Sequence, residues 1–358
     1  EIQAMIMAAP LPDHGAVLRH VYHERSLAVP CTKIILYKNA ALSELGGSGL
    51  RAATYCEALL EAQTQLLETD PRVFLVGEGL HEPGGVFGSV VGLHNRFGVD
   101  RVMDSPLAEN GMTGVAIGAA LAGMVPLFIH MRMDFLPMCL DQLINHAAKW
   151  CYMTAGRVHV PLVVRSLIGR GWGSAAQHSQ GLHGLLAQIP GLKVALPSTP
   201  YDAKGMLIAA ARDGNPVMFC EHRWLYSNTG YVPQEMYEVP LGKGVVRREG
   251  SDVTIVALSH MVWAACSAAE ALAAEGISAE VVDPRCARPL DAELIRQSVE
   301  KTGRLIIADV SNPSGGISGE IAACVAESPA VKALKAPIRR IGFAETPTPC
   351  SPQLEALY

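Results

Sequence analysis

Little of this chain is charged. Lys, Arg, Asp and Glu make up 18% of its 358 residues, and the formal net charge is −5. That balance gives no electrostatic case for nucleic acid. No stretch reaches about 18 apolar residues free of charge, so no membrane-spanning helix is expected. The nine cysteines (Cys31, Cys56, Cys139, Cys151, Cys220, Cys266, Cys286, Cys324 and Cys350) contain no C-x-x-C pair, and their number is odd. They read as buried, reduced thiols of a cytoplasmic protein rather than a disulfide frame or a zinc site. The chain starts at Glu1 rather than Met, as a processed or truncated product would, and its first residues lack the basic start and apolar run of a signal peptide. G-x-x-x-x-G-K-[ST], a G-x-G-x-x-G after a strand, H-E-x-x-H and G-x-S-x-G are all missing. Their absence argues against a P-loop, the usual dinucleotide fingerprint, a zincin and a hydrolase nucleophile elbow. No internal repeat or low-complexity tract is visible.

What is present is apolar and regular. Hydrophobic residues make up 49% of the chain, a composition that suits a subunit with large buried interfaces. The length exceeds one ordinary core and favours two α/β domains. Residues 1–50 are irregular apart from a short strand candidate, "TKIILYKN", and are expected to be dispensable for the fold of 51–358. From Arg51 the pattern turns regular. "AATYCEALLEAQTQLLETD" has helical spacing and stops at Asp70-Pro71. "RVFLVGEG", "MVPLFIHMRMDF", "VPLVVRS", "LKVALP" and "PVMFCE" read as strands. "FLPMCLDQLINHAAKWCYM" and "PYDAKGMLIAAARDG" read as helices. Strands alternating with helices imply a doubly wound, largely parallel sheet over 51–225. Residues 226–240 are rich in turn formers and read as a linker. A second α/β domain follows over 241–358, with strands "DVTIVAL", "SAEVVD" and "RLIIADV" between helices.

One stretch raises a chemical question. "DSPLAENGMTGVAIGAALAG", residues 104–123, places Glu109 at the mouth of a run of small apolar residues. A helix so poor in polar groups is expected to be buried on most sides. Glu109 by itself reads as a first-turn acid favoured by the helix dipole. In "IGRGWGS", Gly169, Gly171 and Gly173 read as a flexible connection or a phosphate loop.

The ordered blocks "VGEG", "GGVFGSVVGLHNRFG", "RVMDSPLAENG", "GAALAGMVP", "MDF", "DQLINHAAK", "AAQHSQ", "PGLKVALPSTPYDAKG", "ARDGNPV", "GSDVTIVA" and "ARPLDAE" resemble the beta subunit of the thiamine-diphosphate-dependent 2-oxo acid dehydrogenases, from about residue 51 to 356. The resemblance implies a pyrimidine-binding domain and a transketolase C-terminal-type domain. It also implies decarboxylation of a 2-oxo acid with passage of the acyl group to a lipoyl carrier. It assigns Glu109 to the cofactor's aminopyrimidine, where a carboxylic acid can share a proton with a ring nitrogen. It sets Phe135 against the same ring by stacking, and makes His178 a proton-handling group for substrate and acyl transfer. The alternatives are a core Phe and a solvated loop His. Leu162, Ala210, Ala211, Asp213 and Asn215 match a potassium site built mainly from main-chain oxygens, or else a plain helix-ending turn at Gly214-Pro216.

Several positions depart from the family pattern. Ala108 and Asn110 flank Glu109 where Ser and a small or apolar residue are usual. His130 and Arg132 stand where an acidic and an apolar residue are expected. Strand alternation puts them on one face with Asp134, paired with Asp134 or a partner chain, or else favouring an unusual anionic substrate. Arg170 and Trp172 replace a Gly-Pro-rich connection. The "GDG…N" motif that holds the diphosphate through a metal is absent, and "RDGN" at 212–215 does not replace it. The chain is therefore expected to hold only the pyrimidine half of thiamine diphosphate. An alpha subunit would bring the diphosphate and Mg²⁺ half in an α2β2 assembly around a β–β dimer, with a lipoyl acyltransferase as acyl acceptor. A split transketolase-like or carboligating enzyme and a non-catalytic homologue are the alternatives.

Overall fold

The computed structural model describes residues 50–358. The strand candidate at "TKIILYKN" and the dispensability of the N-terminal segment lie outside them. The boundary itself shifts, because Leu50–Thr54 is a strand, β1, and not the start of the first helix. The helix α1 begins at Tyr55 and runs to Thr69. Thr54 caps it, with its hydroxyl accepting from Glu57 N and the Glu57 side chain reaching back to Thr54 N.

Two sheets carry the α/β architecture. The first contains β2 (Val73–Gly77), β3 (Val102–Asp104), β4 (Val125–Arg132), β5 (Val163–Ile168), β6 (Lys193–Ala195), β7 (Val217–His222) and β12 (Cys286–Arg288). Their order is β12-β6-β7-β5-β4-β2-β3, parallel except for β12. The second contains β9 (Val245–Arg248), β10 (Val253–Ala257), β11 (Ala279–Asp283), β13 (Leu305–Ala308) and β14 (Arg339–Ile341) in the order β14-β13-β10-β11-β9. β2, β5, β7, β10, β11 and β13 are buried at every residue. This is why they read as continuous apolar runs rather than alternating ones.

Three readings of the sequence change. Residues 226–240 are not a bare linker: Thr229–Pro233 forms β8, antiparallel to β1. The buried ammonium of Lys204 donates to the carbonyls of Pro233, Gln234 and Glu235 and fixes its end. The helix expected over 135–153 is broken into a 3₁₀ segment (Met133–Cys139), a π turn (Gln142–Ala147) and one α turn (Trp150–Met153). Pro137 lacks the N–H a regular helix needs there, and Ala148 N reaches back five residues to Leu143 O. The helix α2, Glu109–Leu121, is not buried on most sides. Val115 is 60% exposed, and Gly111, Gly118 and Leu121 are exposed too.

The two domains interlock. β12 crosses from the second to pair with β6 of the first. Asp202, on the helix α3 (Pro200–Arg212), bonds Arg247 and Arg285, and Arg247 also bonds Asp283 at 2.7 Å. His183 Nε2 meets Asp309 Oδ1 at 2.9 Å. His222, at the end of β7, stacks on His260 at 4.9 Å. Burial, followed by the charges of His260, Arg223, Arg170 and His183, holds His222 well below its usual value. Burial and Arg170 bring His260 down to about 4. Unfolding raises both, so the unfolded chain binds more protons below pH 6.5. Stability contributed by the neutral pair is therefore present above pH 6.5 and lost as pH falls toward 4. Asp202 and Asp309, both depressed, lose theirs only below the ordinary carboxylate range. Thermal unfolding should show a fall of roughly 5 °C between pH 7 and 5. His260→Gln should flatten that slope, and an equal slope in the variant would remove the histidines as its cause.

Candidate active site

Chain order places β3 on one side of β2 and β4 on the other. The carboxyl ends of β2 and β4 thus flank a topological switch point, where α/β sheets open a crevice. Several chemically distinctive residues of the first domain stand at or just beyond these ends. β2 ends at Gly77, where a Cβ would stand 2.4 Å from Ile129 O of β4, so only glycine permits this approach. Glu78 follows, half-buried. Burial, then the charges of Glu109 and Asp104, push its carboxyl above the usual range. Glu78 lies inside the quoted block "VGEG" but received no role from the sequence. Its signal was an acid directly after a fully buried strand.

Glu109 opens α2 and is half-buried. Among the described residues its carboxyl takes part in no hydrogen bond or ion pair. Its charge is felt by Glu78, His130 and Cys139, which places it over the crevice. Asp104, the other acid of that stretch, is structural: it accepts from Leu80 N at 2.8 Å and meets His81 Nδ1 at 3.0 Å.

Phe135 and His178 meet directly. Their rings are 5.3 Å apart and edge-to-face, and Phe135 stays 36% exposed. The loop that carries His178 is not a loose connection. Asp134 accepts from Ser179 N, Gln180 N and Gln180 Nε2 at 3.0–3.1 Å. Arg223 donates to Gly171 O, Ser174 Oγ and His178 O, and lies over the Trp172 ring at 5.3 Å. Gly169 is left-handed (φ +89°) with the His222 ring where a Cβ would be.

The shared face expected for His130, Arg132 and Asp134 is absent. A register shift between His130 and Arg132 breaks the alternation. His130 is buried, edge-on to Phe128, with Nδ1 on Arg132 O. Asp134 lies in the 3₁₀ segment and turns to the loop. Arg132 points over the Phe87 ring at 5.5 Å, with Nη1 donating to His178 O at 3.4 Å. Arg170 turns away to Glu355 O and the Trp224 ring.

At the positions matched to a potassium site, the Asp213 carboxylate is held by the Lys193 ammonium and the Asn215 amide. Leu162 O accepts from Val217 N and Ala210 O from Asp213 N, which leaves each carbonyl a second lone pair. The crevice suits the pyrimidine half of thiamine diphosphate. A half-exposed ring and an unbonded carboxyl face the same crevice, and both are groups that a flat heterocycle with a ring nitrogen would satisfy.

Comparisons with known proteins show the family. The family "Transketolase, pyrimidine binding domain" matches residues 51–229, and "Transketolase, C-terminal domain" matches 242–358. The chain is 46% identical over 311 residues to the beta subunit of acetoin:2,6-dichlorophenolindophenol oxidoreductase from Cupriavidus necator, covering 84% of this chain and 91% of that one. It is 43% identical to the mitochondrial pyruvate dehydrogenase E1 component subunit beta of Caenorhabditis elegans, covering 89% and 92%. It is 42% identical to the 2-oxoisovalerate dehydrogenase subunit beta of Bacillus subtilis, covering 85% and 94%. Among solved structures, a split-gene transketolase described as an inactive beta4 tetramer aligns with a TM-score of 0.65 at 24% identity, covering 82% and 89%. That likeness concerns the fold.

Asp134 is the loop's main acceptor. Asp134→Ala should speed amide exchange at Ser179 and Gln180 by roughly tenfold or more. Unchanged exchange would leave Arg223 as the holder of the loop.

Proposed function

Since the chain belongs to the family of thiamine-diphosphate-dependent 2-oxo acid dehydrogenase beta subunits, built on transketolase domains, we propose that its crevice works as the pyrimidine half of a shared active site. The protein is one half of an enzyme that decarboxylates a 2-oxo acid and passes the acyl group to a lipoyl carrier. The observation that supports the shared site is Glu109: a carboxyl with no bond among the described residues, at the head of α2, whose charge reaches Glu78 at the end of β2 and His130 on β4.

Thiamine diphosphate, when bound, supplies the carbanion chemistry that cleaves the bond to the carboxylate. The residues of this chain do the rest. Glu109 holds a carboxyl oxygen free to share a proton with a pyrimidine nitrogen. Glu78, whose carboxyl is pushed up by burial and then by the charge of Glu109, stands within electrostatic reach of it. Phe135 offers a flat apolar wall. The ring contact sets the His178 imidazole at the edge of that wall, where it can give or take a proton on the substrate. Asp134 and Arg223 fix the loop so that this position does not drift.

The diphosphate and its Mg²⁺ belong, in this reading, to an alpha subunit. The missing "GDG…N" motif supports this. So do Val115 and Leu121 on α2 and Leu107 just before it, which lie exposed as apolar surface of the kind a partner covers. An α2β2 assembly, a lipoyl acyltransferase as acceptor and a cytoplasmic setting complete the proposal. The buried thiols of Cys139, Cys220 and Cys286, outside any disulfide, support a reducing compartment.

The purified chain alone should bind thiamine diphosphate and Mg²⁺ weakly and show no decarboxylation, with activity appearing on addition of an alpha subunit. Tight stoichiometric binding in a calorimetric titration of the lone chain would sink the shared-site reading. In the assembled enzyme, Glu109→Gln should lower turnover by roughly 10²–10⁴-fold with assembly intact. Activity within twofold of the parent would remove Glu109 from the chemistry.

A further inference from the structure

A 2-oxo acid with an apolar tail asks for no cation beyond the cofactor's own, yet two guanidinium groups converge beside His178. Arg132 Nη1 and Arg223 Nη2 donate to one and the same oxygen, His178 O. Among the described residues neither makes an ion pair. The carboxylate whose charge reaches both is Asp134, and its Oδ1 already accepts three hydrogen bonds from the loop. Glu355 also acts on Arg223. Burial, then the Arg132 charge, lowers Arg223 to about 10, and burial lowers Arg132 as well. One neutral carbonyl cannot balance two partly desolvated cations. Arg223 has a structural task in the loop, with two further bonds to Gly171 O and Ser174 Oγ. Arg132 has only a long bond and the face of Phe87.

We propose that Arg132, reinforced by the field of Arg223, reads a second carboxylate on the substrate, so that the preferred substrate class is a dicarboxylic 2-oxo acid. The inference deepens the proposed function and rests on it. It concerns the carboxylate that is retained, for a physical reason. The leaving carboxylate gives up its charge on the way to carbon dioxide, so a cation placed on it would stabilise the ground state more than the transition state. A remote carboxylate keeps its charge throughout, and a guanidinium can hold it by paired, charge-assisted hydrogen bonds from binding to product. Arg132 also ends β4 three residues before Phe135, which puts it at the rim of the ring that meets His178.

The test uses the enzyme assembled with its alpha subunit and two substrates of equal carbon number, 2-oxoglutarate and 2-oxopentanoate. The parent should favour 2-oxoglutarate at least tenfold in kcat/KM. Arg132→Leu should cut that preference by roughly 10²-fold, mainly through KM, because the contact is uniform along the reaction. Arg132→Lys, which keeps the charge, should retain part of the preference. A parent that favours 2-oxopentanoate, or a preference unmoved by Arg132→Leu, overturns the inference. Titration with glutarate, which has no keto group to react, separates the two levels. Glutarate binding that weakens at least tenfold in Arg132→Leu, with neither oxo acid turned over, would sink the proposed reaction and leave the carboxylate site standing. Equal glutarate binding by parent and variant would sink the carboxylate site whatever the turnover.

Discussion

The governing constraint is a parallel sheet buried on both faces. β2, β5 and β7 have no exposed residue, so a charged side chain within them must be paired or be excluded. Arg165 and Glu221 show the first solution. They form a bidentate pair at 2.6 and 2.8 Å, completed by Gln63, Ser89 and Tyr226, with almost no exposure. The second solution is to move polar groups to the strand ends. Glu78, Glu109, Arg132, Asp134 and His178 all stand at or beyond the carboxyl edge. The crevice is where such a sheet leaves room for chemistry.

The same pressure shapes the seam between the domains. Asp202, Arg247, Asp283 and Arg285 are buried together and neutralise one another, while His183 and Asp309 form a second buried contact. Removing any one charge would leave another buried without its partner, which is far more costly than losing a surface pair. The domains are joined by interactions that tolerate little sliding, and β12 adds a covalently continuous strand across the seam. A rigid seam in turn steadies Arg223 and the His178 loop, since His222 beside Arg223 packs against His260 of the second domain.

Against this firm interior, the site edge is open. Phe135, Leu107 and Val115 are exposed, and the Glu109 carboxyl has no bond among the described residues. Groups that the interior would not permit unpaired are left so at one edge, which is the pattern of half a site awaiting the other half.

The sequence by itself determined the α/β alternation and the family, and it singled out Glu109, Phe135 and His178 as candidates, because continuous apolar runs and ordered motifs are local signals. It did not reveal β1 or β8, whose pairing joins residues 50–54 to 229–233 across the first domain. It gave no sign of the bulge that separates Arg132 from His130, because strand period is a local rule and register is set by the neighbouring strand. Glu78 and the shared acceptor of Arg132 and Arg223 were invisible for the same reason: a proton affinity or an unbalanced charge belongs to groups far apart in the chain. Only the tertiary structure, by ordering β7, β5, β4 and β2 across one sheet, decided which of these groups face one another.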